Sequence, residues 1–297
     1  MRDGSDFKQD FDSLVGRAGA PDIVNRRGFI KAALGTGFAV AVLPVCAQSV
    51  IKTDTVGLTT GEIILTVDGQ KVPVYRAAPE GRTGLPVVLV VSEIFGVHEH
   101  IADVARRFAK LGYLALAPDL FVRQGDPMKY GTIAELYKEV IAKVPDAQVM
   151  TDLDACVAYA KANGGNVDKL AITGFCWGGR ITWMYAAHNP NVKAGAAWYG
   201  RLVGDKTALT PSQPVDIAAS LKGAVLGLYG AKDDGIPQST VEQMKVALAK
   251  GGSKSEILVY PNSAHGFHAD YRAGYVEADA KDGFARTLAW FKSRGVA

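Results

Sequence analysis

A six-residue stretch, 174–179 (GFCWGG), constrains the fold of this chain more than any other part. It follows the apolar run 170–173, which is typical of a buried strand, and precedes residues 180–188, which are typical of a helix. A nucleophile at the tip of a sharp, glycine-flanked turn between a strand and a helix is the layout of a nucleophile elbow. The glycines are required because a Cβ at either flank would collide with the neighbouring strand or helix. The stretch therefore predicts a strand, a tight turn and a helix, with a reactive side chain at the tip.

The residue at the tip is Cys176, where serine is the usual residue. The predicted helix begins directly behind it, and the positive end of a helix dipole favours a thiolate. The alternative is a buried structural cysteine, because free cysteines often behave as small apolar residues. The turn by itself leaves both interpretations open.

Composition excludes several classes of protein. A net charge of +3 and the lack of a basic run beyond the N-terminal region argue against nucleic-acid binding. The three cysteines, Cys46, Cys156 and Cys176, form neither a disulfide framework nor a metal-ligand pattern. There is no phosphate-binding glycine motif, so we expect neither a metal nor an organic cofactor. The chain length of 297 residues suits one large α/β domain or two small ones.

The first 47 residues are predicted to be an N-terminal tail and an export signal. Residues 25–31 (NRRGFIK) resemble the twin-arginine signal, and the apolar stretch 32–45 is too short to span a bilayer. Small residues at 45 and 47 predict cleavage after Ala47. We therefore expect the twin-arginine export machinery as a partner, a periplasmic location, and no stable membrane insertion after cleavage. Lipidation of Cys46 and an uncleaved anchor are the alternatives.

The mature chain, residues 48–297, alternates strands and helices without a linker or repeat. This alternation predicts one α/β domain with a mostly parallel central sheet and helices on both faces. Asp68-Gly69 between two β-rich runs predicts an antiparallel hairpin at one edge of the sheet. The predicted strands are 61–67, 71–77, 86–91, 113–117, 170–173, 192–199, 224–230 and 256–260. The predicted helices are 101–111, 133–142, 147–162, 180–188, 240–249 and 275–293.

An acid and a histidine follow the candidate nucleophile, each directly after a predicted strand. The order Cys176, Asp233, His265 is the chain order found in α/β-hydrolases. Loops at the carboxyl ends of parallel strands converge, so we expect the three side chains to meet. His265 would take the thiol proton or form an ion pair with the thiolate, and Asp233 would orient the imidazole. The backbone N–H groups of Ile94 and Trp177 would form the oxyanion hole.

Other residues compete for these roles. Asp234 is the alternative acid, and His268 is the alternative base. His98 and His100 invite a metal interpretation, but no third ligand at a suitable spacing supports it. Glu93 lies near the predicted carboxyl ends of the strands, where it is either part of the site or an ordinary surface carboxylate.

At six places the chain resembles the dienelactone hydrolase family. The matching stretches are 92–97 (SEIFGV), 118–124 (PDLFVRQ), 174–179 (GFCWGG), 197–200 (AWYG), 230–233 (GAKD) and 264–267 (AHGF). The resemblance implies the α/β-hydrolase fold and hydrolysis of an enol-lactone such as dienelactone through a thioester on Cys176. It also implies that Glu93 contacts the resting nucleophile and helps to activate it, that Arg123 binds the substrate carboxylate, and that Tyr199 lies in the pocket.

One position departs from the family pattern. A second carboxylate-binding arginine is expected four residues after the histidine, where this chain has Ala269, with Arg272 nearby. The departure concerns the choice of substrate and not the hydrolase chemistry. Two functions from other classes compete with hydrolysis. A binding protein could use the same fold, and a thiol redox protein could pair Cys156 with Cys176, which requires the two sulfurs to be close.

Overall fold

Residues 51–297 are described by the structure, a computed structural model, and they form an eight-stranded sheet. The spatial order of the strands is β1-β2-β4-β3-β5-β6-β7-β8. The β1–β2 and β2–β4 pairs are antiparallel, and every other pair is parallel. The strands are β1 Leu58–Val67, β2 Gln70–Pro79, β3 Leu85–Val91, β4 Leu114–Pro118, β5 Gly165–Phe175, β6 Val192–Trp198, β7 Ala224–Gly230 and β8 Glu256–Tyr260.

Helices cover both faces of this sheet. They are α1 Glu99–Lys110, α2 Ile133–Glu139, α3 Asp146–Ala162, α4 Trp177–His188, α5 Pro214–Ile217, α6 Gln238–Lys250 and α7 Glu277–Ser293. Short 3₁₀ turns occupy Pro127–Lys129, Ile141–Lys143 and Ala218–Ser220. The predicted α/β class with a mostly parallel sheet is confirmed.

Strand prediction works best where a central strand is a continuous apolar run, as in β3. In β3 six of the seven residues are buried, as expected for a strand covered on both faces. The predicted hairpin is also present, and Asp68 and Gly69 have φ values of 50° and 76° at its turn. These positive values match the hairpin turn that follows the right-handed twist of the strands. The short helix α5 lies between 199 and 224, where the sequence predicts neither a strand nor a helix.

The elbow between β5 and α4 is so tight that it requires glycine at two positions. A Cβ on Gly174 would lie 2.1 Å from the Gly178 carbonyl oxygen, and one on Gly178 would lie 2.4 Å from the Val91 oxygen of β3. Both distances are far below van der Waals contact. The two glycines therefore allow the start of α4 to pack directly on the ends of β3 and β5.

The predicted export signal, its cleavage site and Cys46 lie outside the described residues. Within residues 51–297, none of the helices is long and apolar enough to cross a membrane.

Candidate active site

Cys176 sits between β5 and α4 with an unusual backbone conformation, φ 54° and ψ −114°. A positive φ is rare for a residue with a side chain, and strain of this kind concentrates at functional sites. Its side chain is partly exposed and lines a cavity of about 340 Å³. The elbow thus presents the thiol to the cavity, at the N-terminal end of α4.

His265 lines the same cavity and is paired with Asp233. Its Nδ1 atom lies 2.8 Å from Asp233 Oδ2, and both side chains are almost fully buried. Asp233 Oδ1 also accepts hydrogen bonds from the backbone N–H groups of Gly235 and Ile236, at 3.0 and 3.2 Å. The neighbouring acid, Asp234, is exposed. Of the two predicted acids, Asp233 is therefore the one that reaches the histidine.

The surroundings of His265 favour its positively charged form. Burial disfavours the charged ring, but the negative charges of Asp233 and of a Cys176 thiolate outweigh burial and raise the pKa of His265 well above its usual value. The Nε2 atom is buried without a hydrogen bond in good geometry to any residue of 51–297. The imidazole therefore has one nitrogen anchored to a carboxylate and the other available to a reacting group.

Two backbone N–H groups at this site are oriented by the fold. Trp177 is the first residue of α4, where a helix has no internal acceptor for its N–H groups. Ile94 follows β3 in the loop beside the elbow, and both residues line the cavity. The structure thus brings together five of the residues predicted for catalysis, namely Cys176, Asp233, His265, Ile94 and Trp177.

Glu93 is buried beside this group and is held by two side chains from the loop after His265. Tyr271 donates a hydrogen bond to Glu93 Oε2, and Arg272 Nη1 lies 3.6 Å from Oε1. Burial raises the pKa of Glu93, but the Arg272 charge and the Tyr271 hydrogen bond outweigh it, and the pKa lies below its usual range. Glu93 is therefore ionised at neutral pH although it is buried. Neither it nor Arg272 is among the residues that line the cavity.

The two residues implied for substrate binding have different locations. Tyr199 lines the cavity, with its ring edge-on to His265 at 5.1 Å between centroids and its buried hydroxyl lacking a hydrogen bond within 51–297. Arg123 does not line the cavity. Its Nη1 and Nη2 atoms bind the two oxygens of Asp152 at 2.6 and 2.8 Å, so the guanidinium is held on α3.

One wall of the cavity consists of residues that the sequence did not single out. They come from α2 and the turn that follows it, and they are mainly apolar: Ile133, Ala134, Tyr137, Ile141, Ala142 and Val144. The feature of the sequence that could have indicated this wall is the short apolar segment 133–144, between the fourth strand and the next long helix. Its packing over the elbow depends on contacts between residues far apart in the chain, which no local pattern encodes.

Comparison with known proteins agrees with this geometry. The profile of the Dienelactone hydrolase family matches residues 72–295. The chain belongs to that family. Its members share the α/β-hydrolase fold, and this chain is a hydrolase of the family.

Similar proteins cover nearly the whole chain. A Methylorubrum extorquens protein, provisionally named a carboxymethylenebutenolidase, is 54% identical over 97% of this chain and 99% of its own length. An Escherichia coli K12 protein with the same provisional name is 52% identical over 88% of this chain and 96% of its own length.

A crystal structure from Klebsiella pneumoniae, described as that of a provisional dienelactone hydrolase, is 56% identical. It has a TM-score of 0.78 and covers 79% of this chain and 98% of that one. The dienelactone hydrolase fold of this chain is therefore well matched by an experimental structure.

Three other histidines, His98, His100 and His268, belong to the interior of this hydrolase. His100 Nδ1 lies 2.9 Å from Asp270 Oδ1. His268 packs against Phe175 and Trp198, with ring centroids 4.8 and 4.5 Å away, and its Nδ1 atom is buried without a hydrogen bond in 51–297. His268, the alternative base, is thus a core residue rather than a partner of Asp233.

We expect His268 to make the hydrolase sensitive to acid. Burial, helped by His100 and Arg107, lowers the pKa of His268 well below its usual value, so the folded protein keeps it neutral. Below pH ~6.5 the unfolded chain binds a proton at this histidine that the folded protein does not bind. The free energy of unfolding therefore decreases as the pH is lowered. Phenylalanine fits the aromatic surroundings of this position. Between pH 7 and pH 5 the free energy of unfolding of His268→Phe should therefore fall by about 2 kcal/mol less than that of the parent.

Urea unfolding of both proteins at these two pH values would test this expectation. The raised pKa of His265 acts with the opposite sign, since its contribution is complete at low pH and is lost as pH rises through the raised value. That effect is common to parent and variant and cancels in the comparison. Parallel pH dependences for the two proteins would show that His268 is not the responsible group.

Proposed function

We propose that this chain hydrolyses a carboxylic ester or lactone through Cys176 as nucleophile, with His265 and Asp233 completing a catalytic triad. The arrangement that carries the proposal is Cys176 at a strained elbow in one cavity with His265, whose Nδ1 is 2.8 Å from Asp233. A nucleophile, a base and a group that orients the base are the parts that covalent acyl transfer needs.

The proposed reaction has two halves. His265 holds the proton of the Cys176 thiol, and the sulfur attacks the carbonyl carbon to form a tetrahedral intermediate. The N–H groups of Ile94 and Trp177 bind the negative oxygen. The intermediate collapses to a thioester as the carbon–oxygen bond breaks, and the leaving oxygen takes the proton from His265. A water molecule then attacks the thioester, with His265 accepting its proton and returning it to the sulfur.

Glu93 keeps the proposed role of a switch for the nucleophile. Its Oε2 is bound by Tyr271, and its Oε1 has no hydrogen bond within residues 51–297. In that role the carboxylate would contact the resting Cys176 sulfur and help to activate it when a substrate binds, so this contact would compete with Tyr271 and Arg272 for the Glu93 side chain.

We further propose that the hydrolase domain is the mature chain 48–297, exported by the twin-arginine machinery to the periplasm after cleavage behind Ala47. The support is the NRRGFIK sequence at 25–31 followed by a short apolar stretch. Replacing Arg26 and Arg27 with lysine in the full chain should leave the protein in the cytoplasmic fraction. Recovery of the variant from the periplasm would contradict this part.

The decisive experiment compares the parent with Cys176→Ala on p-nitrophenyl acetate and dienelactone. We expect the parent to turn over at least one of them and the variant to lose activity on the order of 10⁴-fold or more. Cys156→Ala is the matched control, because Cys156 is the other free thiol in residues 51–297 and lies buried on α3. It should retain activity.

Trapping the intermediate gives a second readout. Rapid acid quench should yield a thioester whose mass adduct maps to Cys176. An inactive parent whose Cys176 reacts with iodoacetamide no faster than a model thiol would contradict the nucleophile and favour a binding protein on the same fold.

A further inference from the structure

The cavity at Cys176 has the chemistry of a site for uncharged groups. The wall formed by α2 and the following turn is almost entirely apolar, and Ile94 and Ile236 add further apolar lining. The volume of about 340 Å³ is at the small end of ligand pockets. A carboxylate placed against such a wall loses its hydration, which is costly unless a cation pairs with it.

The arginines that could provide that pairing are engaged elsewhere. Arg123 is bound to Asp152 and lies outside the cavity lining. Arg272 lies close enough to Cys176 and Tyr199 for its charge to act on them, but that charge is paired with Glu93, and Arg272 is not among the lining residues. The family pattern implies that Arg123 binds a substrate carboxylate, and Arg272 lies near the position of the second carboxylate-binding arginine. Neither of them is among the residues that line the cavity.

The two arginines that do line the cavity are not spare charges. Every guanidinium nitrogen of Arg180 has a partner: Nε donates to Gln213, Nη1 and Nη2 to Asp146, and Nη2 also to Ser212 O. Arg201 also has an interaction within the protein. Asp205, four residues after Arg201, also lines the cavity and brings a negative charge. Among the described residues that line the cavity there is no lysine.

We infer that the substrates of this hydrolase are uncharged esters or lactones with an apolar acyl or ring portion, and that carboxylate-bearing substrates such as dienelactone itself are poor. This inference rests on the proposed function and narrows it. The apolar wall would select the substrate by shape and desolvation. To find a cation, a substrate carboxylate would have to displace an interaction that Arg180 or Arg201 already makes within the protein.

The test uses two p-nitrophenyl esters of matched length, the neutral heptanoate and the negatively charged mono-adipate. We expect kcat/KM for the heptanoate to exceed that for the adipate by 100-fold or more. Dienelactone and its methyl ester provide the same comparison on a lactone ring, and the methyl ester should be the better substrate.

A pair of variants ties the preference to the wall. Ala134 is exposed, lies on α2 and lines the cavity, so Ala134→Arg adds a cation there with little risk to folding. It should raise kcat/KM for the adipate at least 10-fold and lower it for the heptanoate. Ala158→Arg makes the same change in charge at an exposed position of α3 that does not line the cavity, and should leave the ratio unchanged.

The outcomes separate this inference from the proposed function. If Cys176→Ala abolishes turnover of both esters but the parent prefers the adipate, the nucleophile stands and the inference is overturned. Loss of adipate turnover alone in Arg201→Gln would then identify Arg201 as the carboxylate-binding residue. If the parent hydrolyses neither ester nor lactone, the proposed function and the inference both fail.

Discussion

Replacing Asp233 with asparagine is expected to lower kcat by roughly 10²–10⁴-fold while the protein remains folded. The asparagine oxygen still accepts from the backbone N–H groups of Gly235 and Ile236, which now bind Asp233 Oδ1 at 3.0 and 3.2 Å. The amide nitrogen then faces His265 Nδ1 in place of Oδ2, which is 2.8 Å away in the parent. An NH₂ group there donates to Nδ1, so the proton moves to Nε2 and the ring cannot hold the thiol proton.

Asp234→Asn is the matched control for this variant. It makes the same chemical change one residue further on, at an exposed side chain. We expect its kcat to stay within a factor of two of the parent. The rate of Cys176 alkylation by iodoacetamide at neutral pH should fall in Asp233→Asn and stay unchanged in Asp234→Asn. Equal activity of the two variants would remove Asp233 from the proposed triad.

Replacing Arg123 with methionine is expected to lower the free energy of unfolding by about 3–5 kcal/mol. Asp152 is completely buried, and Arg123 binds both of its oxygens at 2.6 and 2.8 Å. Burial raises the pKa of Asp152 even with these bonds in place. Without the guanidinium, a buried carboxylate is left either unpaired or forced to take up a proton, and both cost stability.

The double variant Arg123→Met/Asp152→Leu distinguishes a broken ion pair from a general packing defect. Replacing a buried pair with apolar side chains of similar volume is often neutral, so the double variant should recover most of the lost stability. Urea unfolding measures all three proteins. The kcat/KM ratio for heptanoate over adipate should be unchanged in Arg123→Met. A stable Arg123→Met protein that has lost only carboxylate-bearing substrates would instead support the substrate-binding role implied by the resemblance.

Most of the sheet could be predicted because its signals are local. The apolar run of β3 and the Asp68-Gly69 turn each report burial or turn geometry over fewer than ten residues. The helices were predicted with boundaries up to three residues off, as in 180–188 against Trp177–His188. The first turn of α4 is built from elbow residues, and its glycines hide the helical pattern there.

The candidate site was predictable where it depends on chain order. A nucleophile, an acid and a histidine each follow a strand, and parallel strands bring their carboxyl ends to one side of the sheet. Sequence order did not decide between Asp233 and Asp234. The choice follows from the turn after β7, in which the Asp233 carboxylate caps two backbone N–H groups and faces His265.

The sequence by itself determined the family, the order of the strands and helices along the chain, and the elbow with Cys176 at its tip, because glycine turns, apolar runs and motif order are all encoded locally. Only the tertiary structure decided which charges pair. The partners in each case are more than 25 residues apart in the chain: Arg123 with Asp152, Arg180 with Asp146, and Glu93 with Tyr271 and Arg272. Pairing across such separations depends on burial and on the packing of the whole domain, since a buried charge must find its partner wherever the fold places one.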